Sequence, residues 1–489
     1  MPRLTCLTGT ALTSVILIMT ASAAGAETLQ DALAKAYRTN PTLTAARAGQ
    51  RAIDENVPLA KADGRPSIGV TGTLTEQLYR EQSAFFGLTT PKRNLTGQAS
   101  ATVPIYQGGT VRNRIRSAKE NVKAGQNSLR ATEASVFAAV VAAYLDVIRD
   151  SAVVTYNRQN VSSLETNLQA SQDRFEVGDL TRTDVAQSES RLGLARASLQ
   201  AAEAQLISSK ENYIALVGSA PDDLETPPAL PGLPVSPEAA VTVALRDNPD
   251  ILAAGHARDA AHYQVNAAKG QVAPRLSAFA NGSYLDYLNS EQKLDPAVAP
   301  PGSNKAASAG LQLTIPIYQG GQPGALTRQA TAQESQAIEQ QVGTERNVIA
   351  QTRSAYASWQ ASLQNIDSTK RAVSAGELSL EGVRAENTAG TRTILDILDS
   401  QRDLLNAQVQ YVAAQRDAYV AGFSLLAAMG HAEARDLGLD GGPLYDPNVN
   451  YKKVRGKLFD FDFGPKPELQ ATRTQDVPAA DLKIINHEY

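Results

Sequence analysis

Four charged side chains, just past two glycines, are the residues of this chain best placed to act on ions. Asp184 follows Gly178, and Arg392, Asp396 and Asp399 follow Gly390. Asp396 and Asp399 are three apart, so on a helix they share one face. An acidic residue in a first helical turn also favours the helix dipole, and for Asp184 alone that plainer role is sufficient. Other chemistry is thinly provided. His256 and His262 are six apart and do not share a helix face as metal ligands would. The Gly-Gly pairs at 108–109 and 320–321 lack the spacing and the Gly-Lys-Ser/Thr ending of a phosphate loop. No Ser-His-Asp arrangement stands out, and Cys6 is the only cysteine. The expectation is a protein with no catalytic residue, no cofactor and no bound metal.

Composition narrows the class. The chain has 489 residues, with 46 basic against 50 acidic side chains and a net charge of −4. Near-neutrality argues against a nucleic-acid partner, whose footprint is a basic patch. At 20% charged and 43% hydrophobic, the chain is neither disordered nor a bundle of membrane helices. Aromatic residues make up only 5%, with Trp359 the one tryptophan.

Residues 1–26 have the form of a secretory signal. Arg3 gives the positive start, Leu12 to Met19 the apolar middle, and Ala24-Gly25-Ala26 the cleavage site. The exported chain should begin at Glu27. Cys6 lies inside the signal, far from the cleavage site, so no lipid attachment is expected there. No later stretch approaches the ~18 consecutive apolar residues of a membrane helix. An exported chain of this kind crosses a membrane only as a barrel.

The elements that position the charged residues come in two copies. Arg38-Thr39-Asn40-Pro41 returns as Arg246-Asp247-Asn248-Pro249, 208 residues later. The string PIYQGG begins at Pro104 and again at Pro316, 212 residues apart, and Gly178/Gly390 and Asp184/Asp396 keep that interval. The four extra residues fall between Pro274 and Pro316, in an expected hairpin loop, where insertions are tolerated. The boundaries that follow are a signal at 1–26, repeats at 27–235 and 236–440, and a tail at 441–489. The tail, with prolines and Phe459-Asp460-Phe461-Asp462-Phe463, has no helical period and is expected to be extended or poorly ordered.

Each repeat has one order of parts. An alanine-rich helical stretch at 29–62 or 237–271 precedes two alternating segments. In Leu95 to Val103 the odd positions are apolar or small and the even ones polar; Ala307 to Ile315 alternates likewise. Partner segments at Ser67–Leu74 and Leu276–Tyr284 alternate less cleanly. Each is about the ~10 residues of a membrane-spanning strand, although a half-buried soluble sheet has the same period. Four strands cannot close a barrel, since the smallest have ~8, whereas three chains would supply twelve. Pro104 and Pro316 are expected at strand ends, where a missing donor costs no ladder bond. Gly108-Gly109 and Gly320-Gly321 then swing the chain from strand into helix.

Long helices are expected at 109–175 and 321–386, each about 100 Å at ~1.5 Å per residue. Turns at Gly178 and Gly390 reverse the chain into helices at 182–217 and 393–429. Val185, Leu192, Leu199, Leu206 and Tyr213 recur every seven residues, as do Leu398, Leu405, Val412, Tyr419 and Leu426. Ile115, Val122, Leu129 and Val136 do the same in the first long helix. Sustained sevens mean coiled-coil packing with a left-handed supercoil. The two shorter helical stretches of a repeat together match its long helix and should stack end to end beside it. Threefold symmetry would bring six carboxylates of Asp396 and Asp399 onto one axis.

These duplicated halves, both PIYQGG strings, and the segments Gly178 to Val185 and Gly390 to Asp399 resemble the outer-membrane efflux protein family typified by TolC. The likeness covers roughly residues 28–430. It implies a mainly α homotrimer in which a twelve-stranded β-barrel in outer-membrane lipid stands on a periplasmic helical barrel. It further implies docking with a periplasmic adaptor (membrane fusion) protein and an inner-membrane pump, for tripartite efflux or type I secretion. By that resemblance Asp184 and Arg392 match an ion-paired periplasmic gate, and Asp396 and Asp399 an acidic ring at the entrance. Asn387 stands where the family's gate has a tyrosine. The lipidated members' cysteine at the mature start is missing. The competing classes are an exported structural coiled coil, which has no need of strands, and a secreted hydrolase on repeats, for which no catalytic motif is present.

Overall fold

The computed structural model describes residues 26–79, 92–290, 302–439 and 444–484. The signal segment before Ala26, the first hairpin loop with Arg80 and Glu81, and the second hairpin loop lie outside the described residues.

Helices α1 (Leu29–Thr39), α2 (Pro41–Asp54) and α3 (Asn56–Ala62) lead into strands β1 (Ser67–Glu76) and β2 (Arg93–Gln107). Then come α4 (Thr110–Glu176) and α5 (Arg182–Val217). The second half repeats the order with α6 (Pro237–Asp247), α7 (Pro249–Lys269), β3 (Arg275–Asp286), β4 (Ser303–Thr314), α8 (Gln322–Thr388) and α9 (Ile394–Met429). Both long helices have 67 residues, about 100 Å at ~1.5 Å per residue.

The alanine-rich stretches are interrupted rather than continuous, and the cause is local. A proline disfavours helical geometry in the residue before it. Asn40 and Asn248, which precede Pro41 and Pro249, are extended. Their Oδ1 atoms accept from Thr42 and Asp250 backbone N–H at 2.9 Å, capping α2 and α7. Their amide groups donate to the carbonyls of Leu216 and Ala428, also at 2.9 Å. One repeated Asn-Pro pair thus ends a helix, starts the next and holds the last turn of α5 or α9.

The heptad residues face inward. Val122, Leu129, Val136, Leu192, Leu206, Tyr213, Leu398, Val412 and Leu426 are buried. The largest core joins α1, the middle of α4 and the end of α5 around Phe137, Tyr144 and Tyr213. Glu27 is locked into that core: Tyr213 donates to its carboxylate at 2.9 Å and Lys35 pairs with it at 2.8 Å. One window of α4 has a mean hydropathy of 1.6, high enough for a membrane helix, contrary to the expectation that no later stretch comes close. More than half of that window is buried, as in the core of a helical body.

The two halves are unequal in burial. α4 packs against α1–α3, α5, α7 and α9. Among the described residues α8, of the same length, buries only Pro323, Ala330, Val348, Thr352, Thr369 and Leu380. Among the described residues α8 packs against α9, α7 and α6, without a counterpart of the α7 contact that α4 makes with the other half.

The tail departs from expectation. It opens with a helix, α10 (Pro447–Val454), whose Asn450 donates to Asp54 of α2 at 2.8 Å. Farther on, Lys210 of α5 pairs with Asp481 at 3.2 Å and donates to the Lys483 carbonyl at 2.7 Å. Proline-rich 464–473, between these anchors, has no regular secondary structure, as expected.

Candidate functional site

The four strands form one antiparallel sheet in the order β1-β2-β3-β4. Directly opposed residues of antiparallel strands point to the same face. The register places Val70 opposite Ala99, Ala99 opposite Gly282, and Gly282 opposite Ala307. The next rows are Ile68, Ala101, Ala280 and Ala309, then Val103, Ala278 and Leu311. The other face reads Thr71, Gln98, Ser283 and Ala306, then Gly69, Ser100, Asn281 and Ser308. One side is apolar throughout these rows and the other mainly polar. Strands that alternate weakly when read singly become two distinct surfaces once paired. Phe279 is an exception on the polar side, and its ring lies over Gly310, its cross-strand partner.

Among the described residues β1 and β4 have one neighbour each, so both outer edges of the sheet are unpaired. Pro104 is not at a strand end. It lies within β2, beside a register shift between Pro104 and Tyr106, where the ladder is already interrupted. Pro316 lies just beyond β4, as expected. Gly108 and Gly109 have φ of 63° and 78°, and Gly320 and Gly321 repeat this with 62° and 80°. At Gly108 space is limiting as well, because a Cβ there would strike the Gly270 carbonyl. At Gly320 an added Cβ would meet nothing among the described residues within 4 Å.

At the far end of the helices, Gly178 and Gly390 reverse the chain with φ of 84° and 79°. Thr181 and Thr393 then form matching capping boxes. The Thr181 hydroxyl and backbone N–H donate to Asp184 at 2.7 and 2.9 Å, and Thr393 does the same to Asp396. These hydrogen bonds hold both carboxyls below the usual carboxylate range. Within one chain, therefore, Asp184 is engaged by Thr181 rather than by Arg392. Arg392 turns back to Glu386 at 2.8 Å and stands 3.8 Å from Asp396. Asn387 donates to the Arg392 carbonyl at 2.8 Å and so braces the turn.

Asp399 has a partner that spacing along the chain did not expose. Arg191 of α5 reaches it from the other hairpin at 2.9 Å, and Arg402 is 3.8 Å away. Beneath this pair, Leu398 packs with Val161, Leu164, Leu192 and Ala195. Asn167 of α4 donates to Gln401 of α9 at 3.1 Å. Near the tip an apolar contact and two polar ones join the hairpins, and farther up Arg416 of α9 pairs with Asp146 of α4 at 2.9 Å. The one sequence signal for Arg191 is its place beside the buried heptad residue Leu192.

The histidines join neighbouring helices. His256 contacts Glu120 at 2.8 Å and His262 contacts Glu334 at 2.7 Å. Glu120, His256 and Asp259 lie close enough to share a cation. Their carboxylates are already engaged by Lys123 at 2.9 Å and Arg258 at 2.7 Å.

A family model described as outer membrane efflux protein matches residues 32–219 and 240–431. The chain is similar to the outer membrane efflux protein BepC of Brucella suis, at 35% identity over 90% of this chain and 93% of that one. It is also similar to the outer membrane protein TolC of Escherichia coli, at 24% identity over 84% of each. The solved structure of the Campylobacter jejuni CmeC outer membrane channel shares the fold. Its TM-score is 0.74 at 15% identity, with 89% of this chain and 90% of that chain covered.

Proposed function

The chain belongs to the outer membrane efflux protein family, and from that premise we propose a homotrimeric conduit. It is an outer-membrane channel whose helices stand in the periplasm, serving tripartite efflux or type I secretion. Its family is one of conduits, not of enzymes. The exported structural coiled coil is set aside, since the relatives carry the same strands and helices as channels.

The observation that carries the reading is the cross-strand register, with an apolar face running over all four strands and a mainly polar face behind it. In a membrane barrel the first faces lipid and the second the lumen. Unpaired strand edges in lipid cost several kcal/mol per group, so a lone sheet of four strands is not tolerated there. Three copies close twelve strands by pairing β4 of one with β1 of the next. α8 and Gly320 then receive the first helices of the neighbour, as α4 and Gly108 already receive α7. The signal at 1–26, the repeats at 27–235 and 236–440, and the tail from 441 are the corresponding divisions.

The periplasmic tip serves as entrance and gate. Asp184 and Arg392 bridge neighbouring hairpins there when Thr181 and Glu386 release them, and Asp396 and Asp399 line the mouth. An inner-membrane pump, joined through an adaptor protein, delivers the cargo. Fractionation with cross-linking tests the assembly: a detergent-extracted outer-membrane trimer is expected, and a soluble monomer would remove the proposal. For the gate, Arg392→Ser should raise open frequency in planar bilayers without loss of trimer. Unchanged conductance in that variant would return Arg392 and Asp184 to the role of local turn and cap residues.

A further inference from the structure

The tail rises along the first helices toward the sheet and then returns. Asn450 is tied to Asp54, the Arg455 carbonyl accepts from Lys61 at 2.6 Å, and the Lys457 carbonyl accepts from Arg65 at 2.7 Å. These anchors climb α2 and α3 in order, and Arg65 is two residues from the start of β1. After the apex the chain descends, with Thr472 beside Gly218 at the end of α5 and Asp481 on Lys210. The apex is closed by Lys457 and Asp462, paired at 2.9 Å, and by Gly464 at φ 73°.

That apex presents apolar groups to solvent. Leu458 is 68% exposed, and Phe459, Phe461 and Phe463 are 86%, 88% and 86% exposed. The turn that displays them is anchored, so their exposure does not follow from a loose end. Cations flank it along the chain, and Lys61 and Arg65 hold its approach. Residues 452–466 contain Lys452, Lys453, Arg455, Lys457 and Lys466 against Asp460 and Asp462. Lys61 is crowded further: burial, then repulsion from Lys119, Arg65 and Arg455, holds its ammonium below the usual lysine range.

We propose that residues 458–463 are an interfacial anchor that inserts Leu458 and the three phenylalanines into the headgroup region of the leaflet facing the helices, where the neighbouring cations hold anionic phospholipid. Phe and Leu side chains sinking to the headgroup–acyl boundary beside Lys and Arg are how interfacial segments bind anionic membranes. A contact with a neighbouring copy is the other possible occupant, but the cores of protein interfaces are depleted of charge. Here each phenylalanine adjoins an aspartate in the chain. The anchor rests on the placement of the sheet in the outer membrane. It gives the chain a second hold on the bilayer, outside the barrel.

The test uses the full-length protein reconstituted in phosphatidylethanolamine–phosphatidylglycerol liposomes, with and without acyl chains brominated near the headgroup. Trp359→Phe removes the native tryptophan. Phe461→Trp then reports the tail and, in a separate variant, Leu311→Trp reports the sheet. Bromination should reduce Phe461→Trp emission about twofold, with weaker quenching when phosphatidylcholine replaces phosphatidylglycerol. Quenched Leu311→Trp with unquenched Phe461→Trp would overturn the anchor. Blue-shifted but unquenched Phe461→Trp emission would overturn it in favour of a protein contact. If Leu311→Trp is unquenched as well, the membrane placement of the sheet fails and the anchor with it.

Discussion

Arg191 on α5 and Asp399 on α9 meet at 2.9 Å and tie the first helical hairpin to the second near the tip. Both side chains are partly exposed, so one such pair contributes only ~0.2–1 kcal/mol, and less in high salt. A threefold assembly repeats it three times, which gives roughly 0.6–3 kcal/mol if the copies add. Arg191→Ser is expected to raise open frequency in single-channel recordings by a few-fold or more. High salt should produce part of the same change in the wild type. An unaltered gating pattern in Arg191→Ser would make the pair a passive link between hairpins.

Asn40 and Asn248 each cap one helix and hold the end of another. Removing a cap costs about 0.5–2 kcal/mol, and an orphaned buried carbonyl about 1–3 kcal/mol. Asn40→Ala should therefore lower the thermal midpoint measured by circular dichroism. Asn40→Asp keeps the cap oxygen but loses the donor to Leu216, so it should fall between wild type and alanine. Equal midpoints for aspartate and wild type would show that the clamp on α5 is dispensable.

Glu133 of α4 accepts from the Ala434 backbone N–H at 2.8 Å. Burial pushes its carboxyl above the usual carboxylate range, and the nearby Glu433 adds to the rise. The folded protein then holds a proton that the unfolded chain has released. This contribution is complete below the unfolded value of ~4.3 and is lost as pH rises through the folded value. Glu133→Gln keeps an acceptor for Ala434 without the charge. It should melt higher than wild type at pH 7.5 and close to it at pH 4.5. An equal difference at both pH values would rule out titration of Glu133 as the cause.

The two faces of β4 should respond differently to one cation. Leu311 lies on the apolar face, where arginine costs from about 2–4 kcal/mol at mid-bilayer down to ~0–1 kcal/mol near the interface. Gln312 is on the polar face. Leu311→Arg should sharply reduce the yield of folded protein in outer-membrane fractions. Gln312→Arg should preserve the yield and shift ion selectivity away from cations. Similar yields for both variants would contradict the assignment of lipid and lumen faces.

Periodic and local features could be read from the sequence alone. The 208- and 212-residue intervals, the sevens from Val185 to Tyr213, the alternation from Leu95 to Val103 and the glycines at both turns need only neighbours along the chain. Helix and strand geometry convert such spacing directly into faces and ends. Pro104 sits inside β2 rather than at its end because a bulge depends on the strand opposite, which spacing along one strand does not show. The partners of the charged residues were also hidden. Arg191 meets Asp399 from 208 residues away, and Glu133 is half-buried against Ala434, 301 residues later. Tyr213 and Lys35 meet on Glu27 only because α1 and α5 converge there. The path of the tail was equally undetermined, since Lys61, Arg65 and Lys210 hold it through backbone carbonyls that carry no sequence signature. Repetition along the chain determined the elements and their order. Which side chains neutralise, bury or brace one another was decided only when separate helices were brought side by side, because those forces act over a few ångströms of space.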